Sequence, residues 1–107
     1  MQSRCVVRAA SCSSVERWGF APISLRPTLE EQLTCVWDNL RTILASAGMT
    51  TDNLVRLTSY LRDASYAEAN AAARLAALGS HRIPTTAIVV QTLSDDWLIE
   101  LEAIAAG

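Results

Sequence analysis

From Thr28 to the C-terminus the hydrophobic period switches between that of a helix and that of a strand, and each switch marks an element. Leu29, Leu33, Val36, Leu40, Ile43 and Ala47 recur at helical spacing, which gives one apolar stripe. Thr28-Leu29-Glu30-Glu31 is a capping box at its start, a reciprocal pairing worth about 1 kcal/mol. Gly48 supplies a left-handed stop. From Leu54 to Leu61 the period becomes two: Val55, Leu57, Ser59 and Leu61 alternate with the more polar Arg56, Thr58 and Tyr60, as in a strand. Ser65-Tyr66-Ala67-Glu68 reads as a second capping box, opening an alanine-rich helix that Gly79 closes. Pro84 precedes a strand over Thr85 to Leu93, whose run Ala87-Ile88-Val89-Val90 predicts a central, buried position. Ser94, Asp95 and Asp96 turn the chain into a last strand.

That last strand carries the most informative pattern. In Trp97 to Gly107 two acids stand at i and i+2 inside an almost wholly apolar run. Glu100 and Glu102 share a face with Leu98 and Ile104, while Trp97, Ile99, Leu101 and Ala103 take the other. Both faces are largely apolar, so both require cover, and an acid kept there predicts a cleft or an interface. Upstream, residues 5–12 and 15–24 read as a short strand pair with Ser13 and Ser14 at the turn. The order ββαβαββ defines an α+β domain with a mixed sheet and two helices on one face. The other face is predicted to meet further copies of the chain.

Composition narrows the chemistry. With 107 residues the chain is expected to form one domain over 1–107, and a formal net charge of -2 without any block of like charge argues against nucleic acid and membrane surfaces as partners. All nine basic residues are arginine, because the sequence holds no lysine, so a Schiff-base lysine is excluded. Cys5, Cys12 and Cys35 are odd in number and lack metal-ligand spacing, and His81 is the single histidine. They are expected to be free thiols in a reducing, cytoplasmic setting, packed as small hydrophobes with no metal. Neither a secretory signal nor a membrane span is legible. Trp37 and Trp97 read as packing residues.

Gly19-Phe20-Ala21-Pro22, Glu31-Gln32, Val36-Trp37-Asp38-Asn39-Leu40, Ala47-Gly48-Met49 and above all Ile99-Glu100-Leu101-Glu102-Ala103-Ile104-Ala105 resemble the RidA/YjgF imine-deaminase family, from about residue 15 onward. The resemblance implies the RidA-like (bacterial chorismate mutase-like) fold, a homotrimer whose sheets form a central barrel, and small-molecule clefts between subunits. It implies hydrolysis of reactive imines or enamines without a cofactor. Glu100 is similar in placement to the acid that positions the attacking water, and Gly19 to a substrate-binding glycine, here flanked by Trp18 and Phe20. Family deaminases carry Pro-Ala-Arg-Ser, whose arginine forks onto the substrate carboxylate. This chain reads Pro84-Thr85-Thr86-Ala87, with Thr86 at the arginine position.

The loss of one charge-assisted contact of that kind costs about 1.5–3 kcal/mol. Arg82, two residues before the proline, is the sequence's candidate replacement. The catalytic candidate is therefore Glu100, with Thr85, Thr86, Gly19, Trp18, Phe20 and Arg82 as substrate-binding candidates. Glu102 reads as a structural acid. Two functions follow: a cofactor-free enzyme acting on an imine, enamine or related carbonyl intermediate, or a trimeric binding protein that keeps the cleft without turnover. A ribonuclease label, also attached to this family, finds no support in a chain with no basic stripe and one histidine.

Overall fold

A computed structural model describes residues 28–93 and 96–107, together with the backbone of Arg4–Ala10. The strand expected over 15–24, its Ser13-Ser14 turn, Cys12, Trp18, Gly19, Phe20 and the Ser94-Asp95 pair lie outside the described residues, as does the side chain of Cys5. The elements are β1 (Arg4–Ala10), α1 (Leu29–Ser46), β2 (Leu54–Leu61), α2 (Ala67–Leu78), β3 (Thr85–Val89) and β4 (Ile99–Ala106). They form a four-stranded sheet in the order β1-β4-β2-β3. β4 runs antiparallel to both neighbours, while β2 and β3 are parallel and joined through α2. The fold is α+β.

The α1 capping box forms as the sequence predicts. Glu31 N donates to Thr28 Oγ1 at 3.2 Å, and Thr28 N donates to Glu31 Oε1 at 3.3 Å. At the other end Gly48 takes φ +72°, Gly48 N donates to Ala45 O and Met49 N to Leu44 O. This pair of bonds is a Schellman closure, and Met49, just beyond it, is buried against the core. The buried stripe of α1 is Gln32, Leu33, Val36, Trp37, Leu40 and Leu44. Leu44 occupies the place expected for Ile43, which is 39% exposed. Beyond Leu40 the buried stripe thus continues by a step of four residues, where the sequence reading takes a step of three; both spacings stay on one side of a helix, and packing against the sheet selects Leu44.

That stripe packs on Leu54, Leu57 and Leu61 of β2 and on Ile99, Leu101, Ala103 and Ala105 of β4. Alternation on β4 is as predicted, with the odd-numbered residues buried and Glu100, Glu102, Ile104 and Ala106 half-buried. On β2 a bulge between Leu54 and Arg56 lets Leu54 and Leu57 both face the core, so Val55 is displaced to the surface. The alanines Ala69, Ala73 and Ala77 of α2 let that helix sit close to the same core.

Two further expectations are corrected. The Ser65-to-Glu68 capping box does not form: α2 starts after Tyr66 without a side-chain cap. The Ser65 backbone N–H is instead taken by Asp63 Oδ1 at 2.8 Å, which caps the short 3-10 turn Ala64–Tyr66. That bond favours the carboxylate and holds the Asp63 pKa below its ordinary value. β3, read as central, is an edge strand that ends at Val89, with Ile88 and Val89 43% and 54% exposed. A β-branched run signals apolar cover but does not say which chain supplies it.

The core should respond to truncation in proportion to burial. Leu40→Ala is expected to lower unfolding free energy by about 2–5 kcal/mol in urea titrations, and Leu75→Ala, at a position 59% exposed, by no more than about 0.5 kcal/mol.

Candidate functional site

Strand pairing arranges the uncovered face of the sheet in rows. Residues opposite each other across neighbouring strands share a face, so Ala10, Glu100, Tyr60 and Ile88 form one row across β1, β4, β2 and β3. Arg8, Glu102, Thr58 and Thr86 form the next, about 6.7 Å along. Intervening rows point to the helices: Thr85 lies opposite Leu57, which is fully buried under them. The two glutamates therefore project from the face that α1 and α2 leave uncovered.

Glu100 and Tyr60 line a hollow of about 250 Å³ with Val90, Gln91, Thr92 and Leu93. The hollow joins an acid, a phenol, an amide and a hydroxyl to an apolar rim, and Leu93 at that rim is 90% exposed. Its far wall is held by a relay: Arg62 Nη1 donates to Thr92 Oγ1 at 2.8 Å, and Thr92 Oγ1 donates to Trp97 O at 2.7 Å. Arg62 N also donates to Leu98 O. The segment leading into β4 is thus tied to the hollow's wall just ahead of Glu100.

Thr86 stands on the open face one row from Glu100, and its hydroxyl accepts from Arg56 Nη2 at 3.0 Å. A guanidinium from the neighbouring strand consequently reaches the position where the sequence lacks one. Thr85, on the opposite face, accepts from Arg74 Nη1 at 3.3 Å. Arg82 lines a different hollow of about 150 Å³ with Arg74, His81 and Thr85, and His81 Nε2 bonds Leu54 O at 2.8 Å. The structure brings Glu100 and Thr86 to one face and places Thr85 and Arg82 elsewhere. Trp18, Gly19 and Phe20 lie outside the described residues.

Sequence reasoning missed Tyr60, Thr92 and Arg56. The polar alternation of β2 carries a signal for Tyr60 and Arg56, since both occupy the face opposite Leu57 and Leu61. Nothing local marks Thr92, which is buried. A larger hollow of about 590 Å³ lies between α1 and α2, walled by Leu33, Trp37 and alanines of α2. Apart from Glu30 and Arg41 its lining is short of groups able to move a proton. Among the described residues no cluster of three metal-ligating side chains occurs, and no helix is long and apolar enough to cross a membrane.

A small α+β chain with one helix-covered sheet face and an acid-bearing open face defines the class. The sequence matches the family described as Endoribonuclease L-PSP over residues 20–107, and the chain belongs to that family, whose structures also carry the names YjgF and Rid. A solved structure titled as a candidate endoribonuclease L-PSP from Entamoeba histolytica is 26% identical, with TM-score 0.77 over 97% of this chain and 78% of that one. A YjgF family member from Neisseria meningitidis is 16% identical, with TM-score 0.77 over 95% of this chain and 77% of its own. A Rid family protein from Yersinia pestis is 23% identical, with TM-score 0.72 over 78% and 67%. A comparison with curated protein sequences finds no match.

The relay at the wall is testable by itself. Thr92→Val keeps shape but removes the hydroxyl that accepts from Arg62 and donates to Trp97 O. Thermal unfolding should show a loss of about 1–3 kcal/mol, the cost of leaving buried polar partners unsatisfied.

Proposed function

We propose that the chain is a single-domain, homotrimeric small-molecule enzyme that hydrolyses an imine, an enamine or a related reactive carbonyl intermediate without a cofactor. The observation that carries the reading is Glu100, which lines a polar hollow beside Tyr60 on the face of the sheet that the helices leave open. In this mechanism the Glu100 carboxylate accepts a hydrogen bond from water and takes its proton as the oxygen attacks the imine carbon. That proton passes to nitrogen to give the neutral carbinolamine; a second proton then moves from the adduct hydroxyl to nitrogen by way of the same carboxylate as the C–N bond breaks, and the products are a carbonyl compound and ammonia. A fixed carboxylate acting as general base in this way contributes typically about 10²–10⁴-fold.

Substrate recognition differs from that of deaminases with an arginine after the proline. Thr86 presents a neutral hydroxyl, and the guanidinium bonded to it comes from Arg56 on β2. That guanidinium leans in from β2 instead of rising from the position after the proline, so a carboxylate placed as in those deaminases does not meet the fork at the same angle. This favours substrates whose recognition does not depend on a bidentate carboxylate clamp.

The exposed edge strand supports the trimer. Ile88 on the open face, Val89 on the other face of the same edge strand and Leu93 just beyond it leave apolar surface along that edge of a single chain, and a closed assembly of identical subunits covers such surface without an open edge. Light scattering at micromolar concentration should give three times the chain mass, and a monomer mass would remove the basis for an intersubunit cleft. Val89→Asp should dissociate the assembly.

Glu100→Gln separates turnover from binding, because it keeps shape and removes the base. Hydrolysis of candidate imines, followed by coupled detection of ammonia, should fall by about a hundredfold or more, with little change in the melting temperature. Unchanged turnover with a lowered melting temperature would make Glu100 a structural acid.

A further inference from the structure

We propose that Gln32 is a positioning residue that sets which glutamate of β4 faces Tyr60; the inference rests on the reading above, in which Glu100 is the working acid. Gln32 lies in the first turn of α1 and is 2% exposed. Its amide grips the chain just ahead of β4: Oε1 accepts from Leu98 N at 2.9 Å and Nε2 donates to Asp96 O at 3.0 Å. One partner is a donor and the other an acceptor, so the amide has a single orientation. Rotating it by half a turn would set oxygen against oxygen.

Burying a primary amide in an otherwise apolar stripe is unfavourable unless both ends are satisfied, and an apolar side chain of the same size would pack there without that demand. What an apolar side chain lacks is the ability to read the backbone. This matters on β4 because Glu100 and Glu102 are two apart. Alternation fixes the face on which both acids project, whereas the row each occupies depends on where the strand begins. Gln32 holds residues 96 and 98, and Arg62 and Thr92 hold the carbonyls of Leu98 and Trp97, so successive peptide groups are gripped from the helix side and from the wall of the hollow. With that start fixed, Glu100 falls opposite Tyr60 and Glu102 opposite Thr58.

The test compares Gln32→Met, which keeps volume and loses both bonds, with Gln32→Glu, which keeps the acceptor for Leu98 N–H and turns an oxygen toward Asp96 O. The readout is the side-chain carboxyl resonance of each β4 glutamate in the intact assembly by carbon NMR, with amide hydrogen exchange alongside. The expected result is displaced or broadened resonances for both Glu100 and Glu102, and exchange at Glu100 and Leu101 faster by about tenfold or more while the α1 amides near Leu40 keep their protection. A lowered melting temperature with both resonances in place would overturn the proposal and leave Gln32 a core-filling residue. If Gln32→Met does not fold, Gln32→Glu carries the same comparison. The outcome is independent of turnover: Glu100→Gln with full activity would end the catalytic reading, while the Glu100 resonance in the Gln32 variants judges the positioning role by itself.

Discussion

The register of β4 is the constraint on which the rest of the molecule depends. β4 is the only described strand with two antiparallel neighbours, and one of its faces supplies Ile99, Leu101, Ala103 and Ala105 to the core under α1. A slip by one residue would drive Glu100 and Glu102 into that core and lift Ile99 and Leu101 out of it. Burying two unpaired carboxylates costs several kcal/mol each, comparable to the whole stability of a domain this size. The hydrophobic term and the electrostatic term therefore select the same face, and the acids are delivered to the open side as a consequence of packing the other.

Much of this was legible in the chain because the signals are local. The Thr28 capping box, the Gly48 stop and the alternation of Ile99 to Ala105 each depend on neighbours within a few residues, and each forms as read. The failures have identifiable causes. Ser65 lost its capping role to a competing local bond, since Asp63 two residues earlier claims the backbone N–H of Ser65. Val55 left the buried face because a bulge, invisible to a period-two pattern, resets alternation at Leu54. The β3 run predicts a central strand because β-branched residues report a demand for cover; strand order, a non-local property, puts it at the edge of the described sheet.

The site was legible only in part. Glu100 stands out as a charge in an apolar strand. Thr86 was singled out by resemblance, and the structure puts both on one face. What fell outside reach was pairing across strands: Arg56 meets Thr86 from thirty positions away in the chain, and Arg62 reaches Thr92 over the same separation. Parallel pairing of β2 with β3 through α2 generates both contacts, so a single topological fact converts two distant arginines into neighbours of the threonines. Arg82 is close to Thr86 in sequence, yet it lies before Pro84 in a segment that lines another hollow.

The two guanidinium contacts bear on how specificity is divided in the proposed enzyme. Arg62 is bound into the backbone and the Thr92 relay, so its charge serves to hold the wall of the hollow. Arg56 is exposed and meets a neutral hydroxyl, so the Thr86 bond orients it without neutralising its charge. A guanidinium oriented this way attracts anionic groups over the open face, but its strength is limited by solvent screening. An arginine rising from the position of Thr86 would present both N–H edges together, which is how bidentate recognition gains its geometric selectivity. Exchanging that fork for an arginine leaning in from β2 keeps a positive charge on the open face and relinquishes the fixed angle. The arrangement favours a broader range of ligand shapes than a single clamped carboxylate allows.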